Sequence, residues 1–327
     1  MTKSEAIIKV SNLNKTFRSR GNKNIITGLW RPDWEVFTAV RNSSFEIARG
    51  ETVAFLGPNG AGKTTTTKML SGIMHPSGGE VKILGYTPHE RDPDYLRSIG
   101  LVMGNKTGLN WDLTARQSYQ LLKEIYQLDE KTYQQQIRMF TDLLDIEKIL
   151  DRQIRQLSLG ERMKVELTGA ILHNPEILFL DEPTIGLDID AKFAVREFLI
   201  KLKEHNNATI VLTSHDMDDI EHVCKRVLVI NEGELIFDDS LAKLNSRYAM
   251  WRYMRLTFEG DADERELEKH GTILQHEGHS YLLKIKKTQL VPATTAFGGM
   301  EGLADIGITS VPLERIVSDL FKKRPSA

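Results

Sequence analysis

The run Gly57-Pro58-Asn59-Gly60-Ala61-Gly62-Lys63-Thr64 constrains this chain more than any other, because it fits G-x-x-x-x-G-K-[ST] in full. Before it, TVAFLG (52–57) is continuously apolar, as expected for a short strand buried on both faces of a parallel or mixed sheet. After it, from Lys63, the pattern predicts a helix. A strand, a glycine-rich turn and a helix in that order form a phosphate cradle. The glycines let backbone N–H groups converge on phosphates, and the helix N-terminus adds partial positive charge. Gly57, Pro58, Asn59, Gly60, Ala61 and Gly62 are expected to shape the cradle. Lys63 would reach the β- and γ-phosphates, and the Thr64 hydroxyl would ligand Mg²⁺.

A phosphate loop alone leaves kinases, GTPases and many ATPases open. Ile177-Leu178-Phe179-Leu180-Asp181-Glu182 narrows the choice, being an apolar strand that ends in two carboxylates. Asp181 is placed to hold Mg²⁺ through water, and Glu182 to polarise an attacking water. Upstream, Leu157-Ser158-Leu159-Gly160-Glu161 opens a further helix. It resembles the LSGGQ signature of the ABC ATPase family. Matches continue in the family's order, with Gly186-Leu187-Asp188 as the D-loop and His215, after TIVLTS, as the switch histidine. The resemblance covers roughly residues 5–245.

The resemblance implies an ATP- and Mg²⁺-dependent ATPase that works as a head-to-tail dimer, with itself or a related subunit. Each site would take Lys63, Thr64, Thr65, Asp181, Glu182 and His215 from one copy. The other copy would add Ser158 and Gly160 against the γ-phosphate, with Asp188 in the D-loop beside them. Phe17, in LNKTF, lies where the family stacks an aromatic ring on adenine, and Phe37 is its rival across an insert (18–36). NIITGLWRPDWEVF, IGLVMGNKTGLNWDLT, LSLGERMKVEL and LTSHDMDDIE together look like a bacterial branch related to sodium and drug export ATPases. In that branch integral membrane permeases are separate chains. The function implied is the ATP-hydrolysing subunit of an exporter, peripheral on the cytoplasmic face of the cell membrane. An importer subunit, or an ABC ATPase not linked to transport, is the alternative. Translation-type relatives carry two ATPase domains, and chromosome-type relatives part the phosphate loop from the signature by long coiled coils. Neither pattern fits here.

Two residues depart from the family. Asn105 stands where glutamine normally touches Mg²⁺ and the attacking water, and its side chain is shorter by one C–C bond, about 1.5 Å. Glu161 replaces the usual glutamine of the signature, and Leu159 the usual glycine. Ser158-x-x-Glu161 is also a capping box, and a carboxylate there would repel a partner's γ-phosphate. Ile26, Trp30, Trp34 and Phe37 recur at helical spacing beside Arg31 and Pro32, as a stripe that packs on its own domain or meets a partner. Trp111 lies where ABC domains receive a permease helix.

The remaining pattern predicts an α/β chain, and the resemblance places it in the P-loop NTPase (ABC ATPase) class. Residues 1–245 would form the ATPase domain, with a helical subdomain inserted at about 105–175. Residues 246–327 would form a small α+β accessory domain without a catalytic cluster. Its histidines, His270, His276 and His279, lack metal-site geometry. A net charge of −2 argues against a nucleic-acid partner. The single cysteine, Cys224, excludes an intrachain disulfide, and no segment approaches the roughly 20 apolar residues of a membrane span.

Overall fold

A computed structural model describes residues 5–20, 34–104, 106–246 and 248–322. These form two compact units that meet in sequence between Asp239 and Ser240. In chain order the first unit holds β1 (Ala6–Arg20), β2 (Trp34–Ala48), β3 (Thr52–Leu56), α1 (Lys63–Leu70), β4 (Gly78–Ile83), α2 (Pro93–Ser98) and β5 (Ile99–Met103). It continues with α3 (Ala115–Ile125), α4 (Glu130–Leu144), α5 (Leu159–Ile171), β6 (Ile177–Asp181), α6 (Ile189–Asn206), β7 (Thr209–Thr213), α7 (Met217–Val223), β8 (Arg226–Asn231) and β9 (Glu234–Ser240).

Two sheets enclose its core. β2, β1 and β4 make an antiparallel layer, and β5-β6-β7-β3-β8-β9 make the central sheet. Strands β5 through β8 run parallel. Every residue of β3, β6 and β7 is buried, which is why their sequences are unbroken apolar runs rather than alternating ones. The C-terminal part of β2 alternates instead, sending Phe45 and Ile47 inward. Phe45 meets Phe55 of β3 edge to face at 5.5 Å, joining the two sheets in one core with Ile8, Phe179 and Leu228.

The helical stretch predicted after the phosphate loop is α3, α4 and α5. Thr114 and Gln117 close a capping box on α3, and Asp129 caps α4.

One expectation is corrected here. Trp34 and Phe37 do not belong to a helix; they lie in β2, paired with Arg20 and Phe17 of β1. Backbone pairing with β1 overrides the helical spacing, and the strands extend well into the insert. Ile26, Trp30, Arg31 and Pro32 lie outside the described residues.

The second unit runs α8 (Leu241–Ser246), β10 (Trp251–Phe258), α9 (Glu264–Glu268), β11 (Thr272–Glu277), β12 (Ser280–Lys286), α10 (Leu290–Gly298), β13 (Leu303–Ser310) and α11 (Leu313–Lys322). Its sheet has the order β11-β12-β10-β13, all neighbours antiparallel. Met254, Leu256, Phe258, Leu283, Ile285 and Phe297 form its own core. His276 and His279 are exposed, and among the described residues no group of acids, histidines or cysteine has metal-site geometry.

Candidate functional site

Strand order places the site. The phosphate loop leaves the C-terminal end of β3, and the acid pair leaves the same end of β6, with β7 between them. Thr213, last in β7, is paired with both Phe55 and Asp181. Its hydroxyl donates to Asp181 Oδ1 at 2.6 Å, and the Thr64 hydroxyl donates to the same oxygen at 2.9 Å. The Glu182 N–H in turn donates to Thr213 Oγ1 at 3.1 Å. Thr213 therefore spaces the two motifs, a role that nothing in TIVLTS advertises beyond a hydroxyl at the end of an apolar strand.

Gly62 allows the loop to turn into α1. Its φ is 105°, and a Cβ there would lie 2.3 Å from the Ala39 carbonyl oxygen. Lys63 folds back over the loop, donating to the carbonyls of Gly57 at 2.7 Å and Pro58 at 3.2 Å. Burial pulls the pKa of its ammonium below the ordinary lysine value, opposed by the carboxylates of Glu182 and Asp181.

Glu182 has φ 56°, a left-handed conformation that costs a non-glycine residue about 1–2 kcal/mol. The turn carries its side chain off the strand end and towards His215, whose Nδ1 is 2.5 Å from Glu182 Oε2.

One cavity of about 470 Å³ collects these groups. Asn59 through Thr65, Glu182, Ile185 and His215 line it, together with Phe17 and Phe37. The two rings are direct cross-strand partners, and both line the cavity from one ladder position. Asn105 lies outside the described residues.

Ser158, Gly160 and Asp188 do not line this cavity. Ser158 is exposed at the start of α5 and accepts from the Glu161 N–H, while Glu161 accepts from the Ser158 N–H. The predicted capping box is thus formed. The other Glu161 oxygen takes a hydrogen bond from Arg152 at 3.0 Å, and these contacts, the Ser158 N–H foremost, hold its carboxyl below the usual glutamate range. Asp188 caps α6 through the Ala191 N–H at 2.8 Å. A Cβ at Gly160 would meet that of Ala191 at 2.8 Å, which packs the signature turn directly on the start of α6.

A parallel sheet with a phosphate loop on its central strand, an acid pair two strands away and an inserted helical layer defines a P-loop ATPase of the cassette type. The family model described as ABC transporter matches residues 40–185. The ABC transporter ATP-binding protein NatA of Bacillus subtilis is 34% identical over 210 residues, covering 64% of this chain and 85% of NatA. The bacitracin transport ATP-binding protein BcrA of Bacillus licheniformis is 32% identical over 213 residues, covering 64% and 68%. A dimeric ATP-binding cassette solved in a post-hydrolysis state with ADP and phosphate superposes with a TM-score of 0.61. It is 26% identical and covers 72% of this chain and 98% of that one. The chain belongs to the ABC transporter ATP-binding family, and it is an ATPase of that family.

Proposed function

We propose that this chain powers transport through separate membrane-spanning permease subunits by binding and hydrolysing ATP at the cavity beneath β1 and β2. The observation that carries this reading is the convergence of the phosphate loop, Glu182, His215 and two aromatic rings on that one cavity. In this reading Phe17 and Phe37 hold the adenine by stacking. The loop N–H groups and Lys63 take the phosphates, turning Lys63 away from the Gly57 carbonyl. Thr64 and Asp181 bring oxygens within 2.9 Å of each other, the hard oxygen donors that Mg²⁺ prefers. When bound there, Mg²⁺ would neutralise charge on the phosphate oxygens. Glu182 orients the attacking water and accepts its proton, and His215 fixes the carboxylate from the far side.

The exposed start of α5 suits an anion, because the helix dipole leaves partial positive charge there. Ser158 and Gly160 are therefore assigned to the γ-phosphate of a second copy, in a head-to-tail dimer, with Asp188 of the D-loop beside them. That a relative was solved as a dimer supports the pairing of two copies. We take the direction of transport to be export, on the resemblance to the sodium and drug export branch. Among the described residues no helix is long and apolar enough to cross a membrane. On the same resemblance we place the chain at the cytoplasmic face, held there by the permease. Its contact is assigned to half-exposed Trp111, which Arg162 covers at 5.3 Å, and to a neighbouring groove rimmed by exposed Ile73 and Ile125.

The test compares purified wild type with Glu182→Gln. Wild type is expected to hydrolyse ATP, and the variant to turn over at least about 100-fold more slowly and accumulate as an ATP-bound dimer. A variant that turns over like wild type removes Glu182 from the chemistry. A wild type that binds ATP without ever dimerising removes the sandwich.

A further inference from the structure

The loop from β5 to α3 is pinned at two points, and the second pin is a buried acid that the chemistry above does not use. At the start of the loop the Gly104 N–H donates to the Asp181 carbonyl at 2.8 Å. A Cβ at Gly104 would lie only 1.9 Å from the Glu182 carbonyl oxygen, so the loop begins flush against the backbone of the acid pair. Farther along, the N–H groups of Gly108 and Leu109 donate to the two carboxylate oxygens of Glu166 at 3.1 and 3.3 Å. Gly108 matters for the fit, since a Cβ there would meet Glu166 Oε2 at 3.3 Å.

Glu166 breaks the pattern of its helix. It lies on the buried face of α5 with Met163, Val165, Leu167 and Ile171, and it is only 9% exposed. Burying a carboxylate costs several kcal/mol unless hydrogen bonds replace the lost water, and an apolar residue would fill the position without that cost. The two loop N–H groups are the compensation. Burial pushes its pKa above the ordinary glutamate value, while the Leu109 and Gly108 N–H groups and Arg162 pull it back. Glu166, Gly108 and Leu109 also line the groove of about 570 Å³ between α2 and α3, so an occupant of the groove would touch this contact directly.

We propose that Glu166 is a positioning residue for ATP hydrolysis, clamping Gly108 and Leu109 so that the other end of the loop keeps the backbone of Asp181 and Glu182 in place. This rests on the roles proposed for those two acids. The physical reason is leverage over a short span. Release at Glu166 frees the segment that backs Glu182, and displacing a catalytic group by about 1 Å lowers turnover by as much as 10²-fold. Substrate affinity, set by the phosphate loop on β3, is left nearly untouched.

The experiment uses the full-length protein. Glu166→Gln keeps the side chain's size but sets an amide N–H₂ where one acceptor stood. It is expected to lower kcat about tenfold with the KM for ATP within about twofold of wild type. Amide exchange in a peptide over 106–112 should quicken at least about tenfold, while a peptide over 57–70 keeps its protection. Gly108→Ala presses a methyl into the clamp from the exposed side of the loop, and it is expected to produce the same split. Should Glu166→Gln lose protection throughout the domain, Gly108→Ala decides the matter. The proposal is overturned if faster loop exchange leaves kcat at the wild-type value, or if neither variant changes loop exchange. Glu182→Gln separates the two claims: if it hydrolyses ATP like wild type, the catalytic reading fails, and the exchange data still report on the clamp.

Discussion

Asp219 shows how much of the site rests on side chains that never face the cavity. It is 1% exposed and accepts hydrogen bonds from Thr184, from Ser214 at 2.9 Å and from the Arg196 guanidinium at 2.6 Å. One buried carboxylate thereby ties the turn after Glu182 to the turn before His215, and both to α6. Such a charge is tolerable inside because these three partners all donate to it. His173 is the opposite case. Its Nε2 lies 2.9 Å from the Ile99 carbonyl, its ring stacks on Tyr126 at 3.8 Å, and its buried Nδ1 has no partner. Burial lowers its pKa from 6.5 to about 4, against the pull of the Ile99 carbonyl. The unfolded chain therefore binds a proton that the folded chain refuses between those values, so His173 costs stability as pH falls from 6.5 towards 4. Urea titrations of wild type and His173→Phe should diverge in the variant's favour by up to about 3 kcal/mol between pH 7 and pH 4. A gap independent of pH would mean that the imidazole protonates freely in the fold.

At the scale of elements, the hairpin of β1 and β2 and the start of α5 carry the features that a linear reading finds hardest. LNKTF and WEVFTAV look like unrelated segments on either side of an insert. The ladder sets Phe17 opposite Phe37, and both stay exposed at the mouth of the cavity, 38% and 58%. A ring clamp made of two strands predicts that Phe17→Ala and Phe37→Ala each weaken a fluorescent ATP analogue by roughly three- to tenfold. The double variant should lose less than the product, since each ring supports the other. A full product would show that the rings act independently. The capping box of α5, by contrast, was legible in sequence, because Ser158 and Glu161 are three residues apart and cap geometry is local. Arg152 on the outer oxygen of Glu161 was not, since that contact depends on how the turn before α5 folds back. The added cation also tempers the repulsion expected between Glu161 and a phosphate.

At the scale of the molecule, the described residues form two compact units, each with a hydrophobic cluster of its own, and the boundary falls at the end of β9. All residues assigned to ATP within one copy belong to the first unit. A fragment ending at Asp239 should therefore fold and bind ATP within about threefold of the full chain, and calorimetry of the full chain should resolve two transitions. Loss of ATP binding in the fragment would show that the second unit completes the site. What the amino-acid sequence determined by itself were the contiguous features: the phosphate cradle, the acid pair at a strand end, the signature and the capping box of α5. Each depends on neighbours within a few positions, where spacing and side-chain chemistry act directly. Only the tertiary structure decided that Thr213 stands between the two motifs, that Phe17 meets Phe37, that Asp219 ties three segments and that Glu166 holds a loop from inside a helix. Those contacts follow from strand order, register and burial across long stretches of chain, and no local spacing encodes them.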